Sequence, residues 1–169
     1  MDKIRLAGIA EQSTVNGQGL RKVFFSQGCS HHCKNCFNPE TWPFTGGQEF
    51  DILDLVNQIT KETYLTGVTF SGGEPFQQAK AFAKLAVLLK KQHINIWVYS
   101  GYKYETLLKL SQTDLNIKMI LHNINVLVDG KYNEKLAESN LKYRGSSNQR
   151  IINVPESLKL GKTQLLLFA

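Results

Sequence analysis

At 169 residues the chain has the length of one domain with a full hydrophobic core and needs no disulfide staples. Its 42% hydrophobic and 20% charged residues are ordinary globular usage, which excludes a disordered or fibrous protein. The formal charge of +6 comes from Lys and Arg scattered singly or in pairs, a distribution that points away from nucleic acid and suits a solvated surface facing an acidic protein or an anionic small molecule.

Met1-Asp2-Lys3-Ile4-Arg5 lacks the apolar stretch of a signal peptide, and no run approaches the roughly 20 apolar residues that span a bilayer. A cytoplasmic protein with no membrane partner is expected. Lys3 to Ala10 reads as an edge strand and Lys22 to Ser26 as a first buried strand. Between Asp51 and Lys61 the residues Ile52, Leu55, Val56 and Ile59 recur at helical spacing, with Asp51 placed to cap the first turn. Gly67 to Phe70 reads as a strand and Gln77 to Gln92 as a long amphipathic helix carrying Phe82, Leu85, Leu88 and Leu89. Ile94 to Tyr99 is a further strand containing Trp97, which reads as core. A short helix near Tyr104 to Leu110, a strand at Val126 to Val128 and a possible last strand at Thr163 to Phe168 complete the pattern. Gly46-Gly47 and the polar stretch from Tyr143 to Arg150 interrupt it without resembling a domain linker. Alternating β and α elements predict a mostly parallel sheet with helices packed outside it, in a single domain covering residues 1–169.

Each unusual cluster follows a predicted strand: Gly28 to Cys36, Ser71-Gly72-Gly73-Glu74-Pro75, Ser100-Gly101-Tyr102, and Asp129-Gly130. In parallel α/β folds the C-terminal strand ends share one face, where binding sites are built, so these four segments are expected to meet in one pocket.

The three cysteines, Cys29, Cys33 and Cys36, fall within eight residues, where a disulfide framework would spread an even number along the chain. Thiolates at these spacings suit zinc or an iron–sulfur cluster. A zinc site completed by His31 or His32 and a set of inert buried thiols are the plainer alternatives. In a four-iron cluster, three cysteines leave one iron open to a ligand.

Cys-x3-Cys-x2-Cys after one strand and Gly-Gly-Glu-Pro after the next resemble the radical S-adenosylmethionine superfamily. The resemblance implies a [4Fe-4S] cluster on Cys29, Cys33 and Cys36, with S-adenosyl-L-methionine on the open iron. Gly72, Gly73 and Glu74 would line its methionine end, with backbone groups or the Glu74 carboxylate meeting the ammonium. Asn35, Cys36 and Phe37 would hold its adenine, with packing alone as the competing role for Phe37. Many superfamily members carry an aromatic just before the third cysteine, where this chain has Asn35. Phe37 after the cysteine, together with Asn16-Gly17 and Gly19, Cys36-Phe37-Asn38, Thr41-Trp42, Trp97, Val128-Asp129-Gly130-Lys131 and Arg144 to Gln149, is similar to the small superfamily members that activate anaerobic ribonucleoside-triphosphate reductase.

That likeness implies an open, partial β/α barrel of reduced size. It also implies an oxidoreductase that installs a glycyl radical on the large subunit of that reductase and draws electrons from a small electron-donor protein. Activation of a different glycyl radical enzyme, a small-molecule radical synthase and a non-catalytic metal-binding module are the alternatives. Asp129 and Lys131 could touch the bound nucleoside, with a simple turn as the plainer reading. The Arg144 to Gln149 segment could grip a partner or ligand, and Tyr102 could line the site.

Overall fold

The computed structural model describes residues 2–168. Among them, seven strands form one open sheet in the order β3-β1-β2-β4-β5-β6-β7. Its centre is parallel: β2 (Arg21–Ser26), β4 (Gly67–Gly72), β5 (Asn95–Ser100) and β6 (Val126–Asp129) lie side by side. Its flanks are antiparallel, with β1 (Lys3–Ser13) between β2 and β3 (Gln48–Asp51), and β7 (Arg150–Asn153) against β6.

Connection length accounts for the antiparallel β1–β2 pair. A parallel neighbour needs a crossover of a dozen residues or more, and the loop 14–20 between β1 and β2 is too short for one. β1 is not the sheet edge, because β3 pairs outside it. The tail forms no full strand; a single bridge joins Leu165 to Ile152.

Five helices follow: α1 (Ile52–Lys61), α2 (Ala79–Lys91), α3 (Tyr104–Leu110), α4 (Leu115–Asn123) and α5 (Val154–Leu160). Asp51 caps α1 by accepting from the N–H groups of Leu53 and Asp54 at 2.9 and 3.4 Å. α2 starts later than its apolar pattern suggests, because Pro75–Gln78 forms a 3-10 turn first.

All five helices pack on one sheet face. Phe24, Phe70, Ile96 and Val98 alternate toward that side and join Leu55, Phe82, Leu89 and Ile120 in one core. The opposite face holds a smaller cluster of Trp97, Val126, Val128 and Ile151, covered by Tyr99, Tyr143, Leu166 and Phe168. Loops rather than helices cover this second face, leaving room there for a site.

Arg21 anchors that face. Its side chain is buried without a carboxylate partner among the described residues, donating to Thr69 Oγ1 at 2.8 Å and to the carbonyls of Val68 and Gln18 at 2.6 and 3.1 Å. The guanidinium carbon stands 5.5 Å from the centre of the Trp97 ring. Burial pulls its pKa down to about 10, still cationic at neutral pH. Thr69 Oγ1 in turn donates to the Asn16 carbonyl at 2.6 Å, and Gly17, at φ +114°, lies so close that a Cβ would stand 2.8 Å from Trp97. The Asn16-Gly17 pair therefore fixes the loop 14–20 over the sheet.

Candidate functional site

The C-terminal ends of the parallel strands open into a cavity of about 750 Å³. Cys29, Cys33 and Cys36 line it together with Ser71, Gly72, Gly73, Ser100, Gly101 and Gly130. The four segments that the chain order assigned to strand ends thus converge. Thr14 to Asn16 and the segment from Leu141 to Gly145 close the flanks.

Cys29 is buried, while Cys33 and Cys36 are partly exposed, and all three are free thiols. Burial pushes the Cys29 thiol up, and the backbone donors of His31 and His32 only partly offset this. Burial likewise raises Cys33, next to Cys36, while a backbone donor of Tyr132 and the charge of Lys131 act in the opposite sense. The N–H of Asn38 approaches Cys36 Sγ at 3.4 Å. Each sulfur is met by backbone N–H groups, which at Cys29 and Cys33 oppose burial without outweighing it.

The histidines are engaged elsewhere. His31 Nε2 lies 2.7 Å from Glu74 Oε2, and its ring meets Tyr102 edge-on. His32 stacks on Trp42 with centroids 4.7 Å apart. Among the described residues no three His, Cys, Asp or Glu side chains gather as ligands of a single ion. A cuboidal cluster, by contrast, engages each thiolate at a separate iron, so the donor set fits iron–sulfur better than a Cys/His zinc site.

The turn after β4 holds the cysteine loop. Glu74 is fully buried, and its carboxylate accepts from Ser100 Oγ at 3.0 Å, the Gly101 N–H at 2.9 Å and the Phe76 N–H at 3.1 Å, besides facing His31. It is thus spent inside the wall and does not line the cavity. Gln77 accepts from the Ser30 N–H at 3.0 Å and donates to Ser30 Oγ. Gly72 and Gly73 are small for a reason inside the protein. A Cβ on Gly72 would stand 2.6 Å from the Phe25 backbone, and one on Gly73 would stand 2.4 Å from the Gly28 carbonyl. Their smallness brings β4 onto the start of the cysteine loop, and both still face the cavity.

The far half of the loop has its own anchors. Asn35 takes a positive φ of 53°, is exposed, and donates to Glu134, which also pairs with Lys34 at 2.6 Å. Its side chain is not part of the cavity lining. Phe37 lines the cavity but is 70% exposed, so it is no core residue. Its ring lies 4.8 Å from Tyr132, with Gly145 tight against it.

Asp129 is buried, accepts from the Tyr104 N–H at 2.7 Å and pairs with Arg150, so it closes a structural network instead of facing the cavity. In the segment Arg144 to Gln149, Gln149 Oε1 accepts from the N–H groups of Gly145 and Ser146 at 2.8 and 3.1 Å, while its Nε2 donates to the Gly130 carbonyl. The motif is a self-tied loop that brings Tyr143 and Gly145 to the cavity. Tyr102 lines a neighbouring cavity and not this one. The sequence marked His31 as a candidate zinc ligand and not as the partner of Glu74, and it did not point to Gln77, Tyr132, Tyr143 or Glu134 as parts of the site; only the position of Gln77 in the same turn as Glu74 offered a signal.

Residues 15–152 match the protein family described as 4Fe-4S single cluster domain. The anaerobic ribonucleoside-triphosphate reductase-activating protein of Haemophilus influenzae is 34% identical over 81% of this chain and 90% of its own length. Its counterpart from Enterobacteria phage T4 is 35% identical over 81% and 86%, and that of Escherichia coli K12 is 35% identical over 80% and 89%. The chain belongs to the anaerobic ribonucleoside-triphosphate reductase-activating protein family. The family description names a 4Fe-4S cluster, and Cys29, Cys33 and Cys36 are the thiols that could hold one. Among the described residues, no helix is long and apolar enough to cross a membrane.

Proposed function

We propose that this chain activates anaerobic ribonucleoside-triphosphate reductase, with a [4Fe-4S] cluster on Cys29, Cys33 and Cys36 and S-adenosyl-L-methionine in the adjoining cavity. The observation that carries the reading is the single cavity in which the three thiols face the Ser71 to Gly73 and Ser100-Gly101 turns. When bound, these groups supply one-electron cleavage of the sulfonium, yielding methionine and a 5′-deoxyadenosyl radical that takes hydrogen from a glycine of the reductase large subunit.

The protein's part is placement. Backbone groups of Gly72 and Gly73 border the cavity where the amino-acid end of the ligand would sit. Glu74 acts from behind, holding His31, Ser100 and Gly101 in register. Cys36 and Phe37 line the cavity on the side assigned to the adenine, and Asn35, outside the lining, turns the chain toward them through its positive-φ backbone while Glu134 takes its side chain. Trp42 and Tyr143 line the walls and limit water. The open sheet, read as a partial barrel, leaves a mouth bordered by exposed Val15 and Phe37, a shape suited to an incoming protein loop.

Anaerobic reconstitution tests the reading. Wild type is expected to take up iron and sulfide, change its spectrum with S-adenosyl-L-methionine, and give a glycyl radical signal by electron paramagnetic resonance when mixed with reductase and reductant. A Cys33→Ala variant that still cleaved S-adenosyl-L-methionine would refute it.

A further inference from the structure

A second cavity of about 930 Å³ lies beside the first, and His31, Gly101, Gly130 and Tyr132 line both. These four residues are the wall between them. Five cations border the second cavity, Lys34, Lys103, Lys131, Lys135 and Arg150, against only two carboxylates, Asp129 and Glu134. Both carboxylates are already committed, Asp129 to Arg150 and Glu134 to Lys34. Lys103, Lys131 and Lys135 are exposed and form no ion pair among the described residues, so the dish keeps an uncompensated positive field.

We infer that this dish docks an acidic protein that carries a one-electron centre and delivers its electron across the His31–Tyr132 wall to the cysteine loop. The inference rests on the proposed radical chemistry, which consumes one electron per cleavage. In that step the docked carrier is oxidised by one electron and the centre held by the cysteines is reduced by one, with no bond made or broken. Three features support it. The first cavity is committed to ligand and to the reductase loop at its mouth, so the electron needs another approach. Tyr132, in the shared wall, borders the same cavity as the three thiols, and its ring lies 4.8 Å from that of Phe37, the neighbour of Cys36. An excess of lysines matches a negatively charged face better than an apolar or basic one.

The test compares cluster-loaded wild type with the Lys103→Glu/Lys135→Glu variant, leaving Lys131 intact. The probe is an acidic plant-type [2Fe-2S] ferredoxin, with photoreduced deazaflavin as a small reductant that needs no docking surface. Two quantities are read at low salt: binding of oxidised ferredoxin, and the rate at which reduced ferredoxin bleaches the cluster absorbance. Both are expected to fall about tenfold or more in the variant, and the difference should shrink at high salt as the charges are screened. The deazaflavin rate should be unchanged. Equal ferredoxin binding in the two proteins overturns the proposal. So does equal slowing with both reductants, or a loss of reductase binding in place of ferredoxin binding. If instead wild type took up no sulfide or released no methionine, the radical reading itself would fail, an outcome separate from the charge-reversal comparison.

Discussion

Glu74→Gln is the sharpest probe of how the cysteine loop is held. The carboxylate is fully buried and accepts from Ser100, Gly101 and Phe76 while facing His31. An amide keeps the shape but turns one acceptor oxygen into a donor. At the Oε2 position the new N–H2 faces the Gly101 N–H, and at Oε1 it faces the Phe76 N–H, so one buried backbone donor is orphaned either way. That orphan, with the loss of charge assistance at His31, costs about 2–4 kcal/mol. For a chain of this size, each kcal/mol moves the midpoint by about 2–4 °C, giving a fall of roughly 5–15 °C. Circular dichroism melts of metal-free wild type and variant read this directly. A midpoint within about 1 °C of wild type would refute the assignment of Glu74 to the wall.

Gly17→Ala should destabilise by about 1–3 kcal/mol, because φ is +114° and the added Cβ would meet the Trp97 ring at 2.8 Å; urea unfolding followed by tryptophan fluorescence measures it. The Glu105 carboxyl is held down to about 2 by its bonds to Arg150, so it contributes stability that is present above its ordinary value near 4.5 and lost as pH falls toward 2. Glu105→Gln should therefore flatten the wild-type loss of stability across that interval, as read from melts at stepped pH.

The parallel centre of the sheet was legible because its strands are buried and read as apolar runs, Val23-Phe24-Phe25, Val68 to Phe70 broken only by Thr69, and Ile96 to Val98. β3 was not, since Gln48–Asp51 is short and half exposed and shows no apolar run. α4 and the β7–α5 pair were missed for a related reason. Leu115 is exposed at the start of α4, and Arg150–Asn153 holds only two buried residues inside a stretch that reads as polar. In the site, the strand-end clusters announced themselves as Gly- and Cys-rich. The direction of Glu74 did not, because whether a carboxylate after a tight turn faces a ligand or a neighbouring loop depends on β5 beside it, which is distant in sequence. For the same reason Asp129, a candidate for ligand contact, proves to be bound to Tyr104 and Arg150, while the Arg144 to Gln149 loop is tied to itself and still presents Arg144, Gly145 and Gln149 to the cavity.

The cysteine loop is tied at both ends, at Ser30 and His31 by Gln77 and Glu74, and at Lys34 and Asn35 by Glu134. These anchors come from elements far apart in the chain, so damage to either one would misplace a cysteine without touching any sulfur.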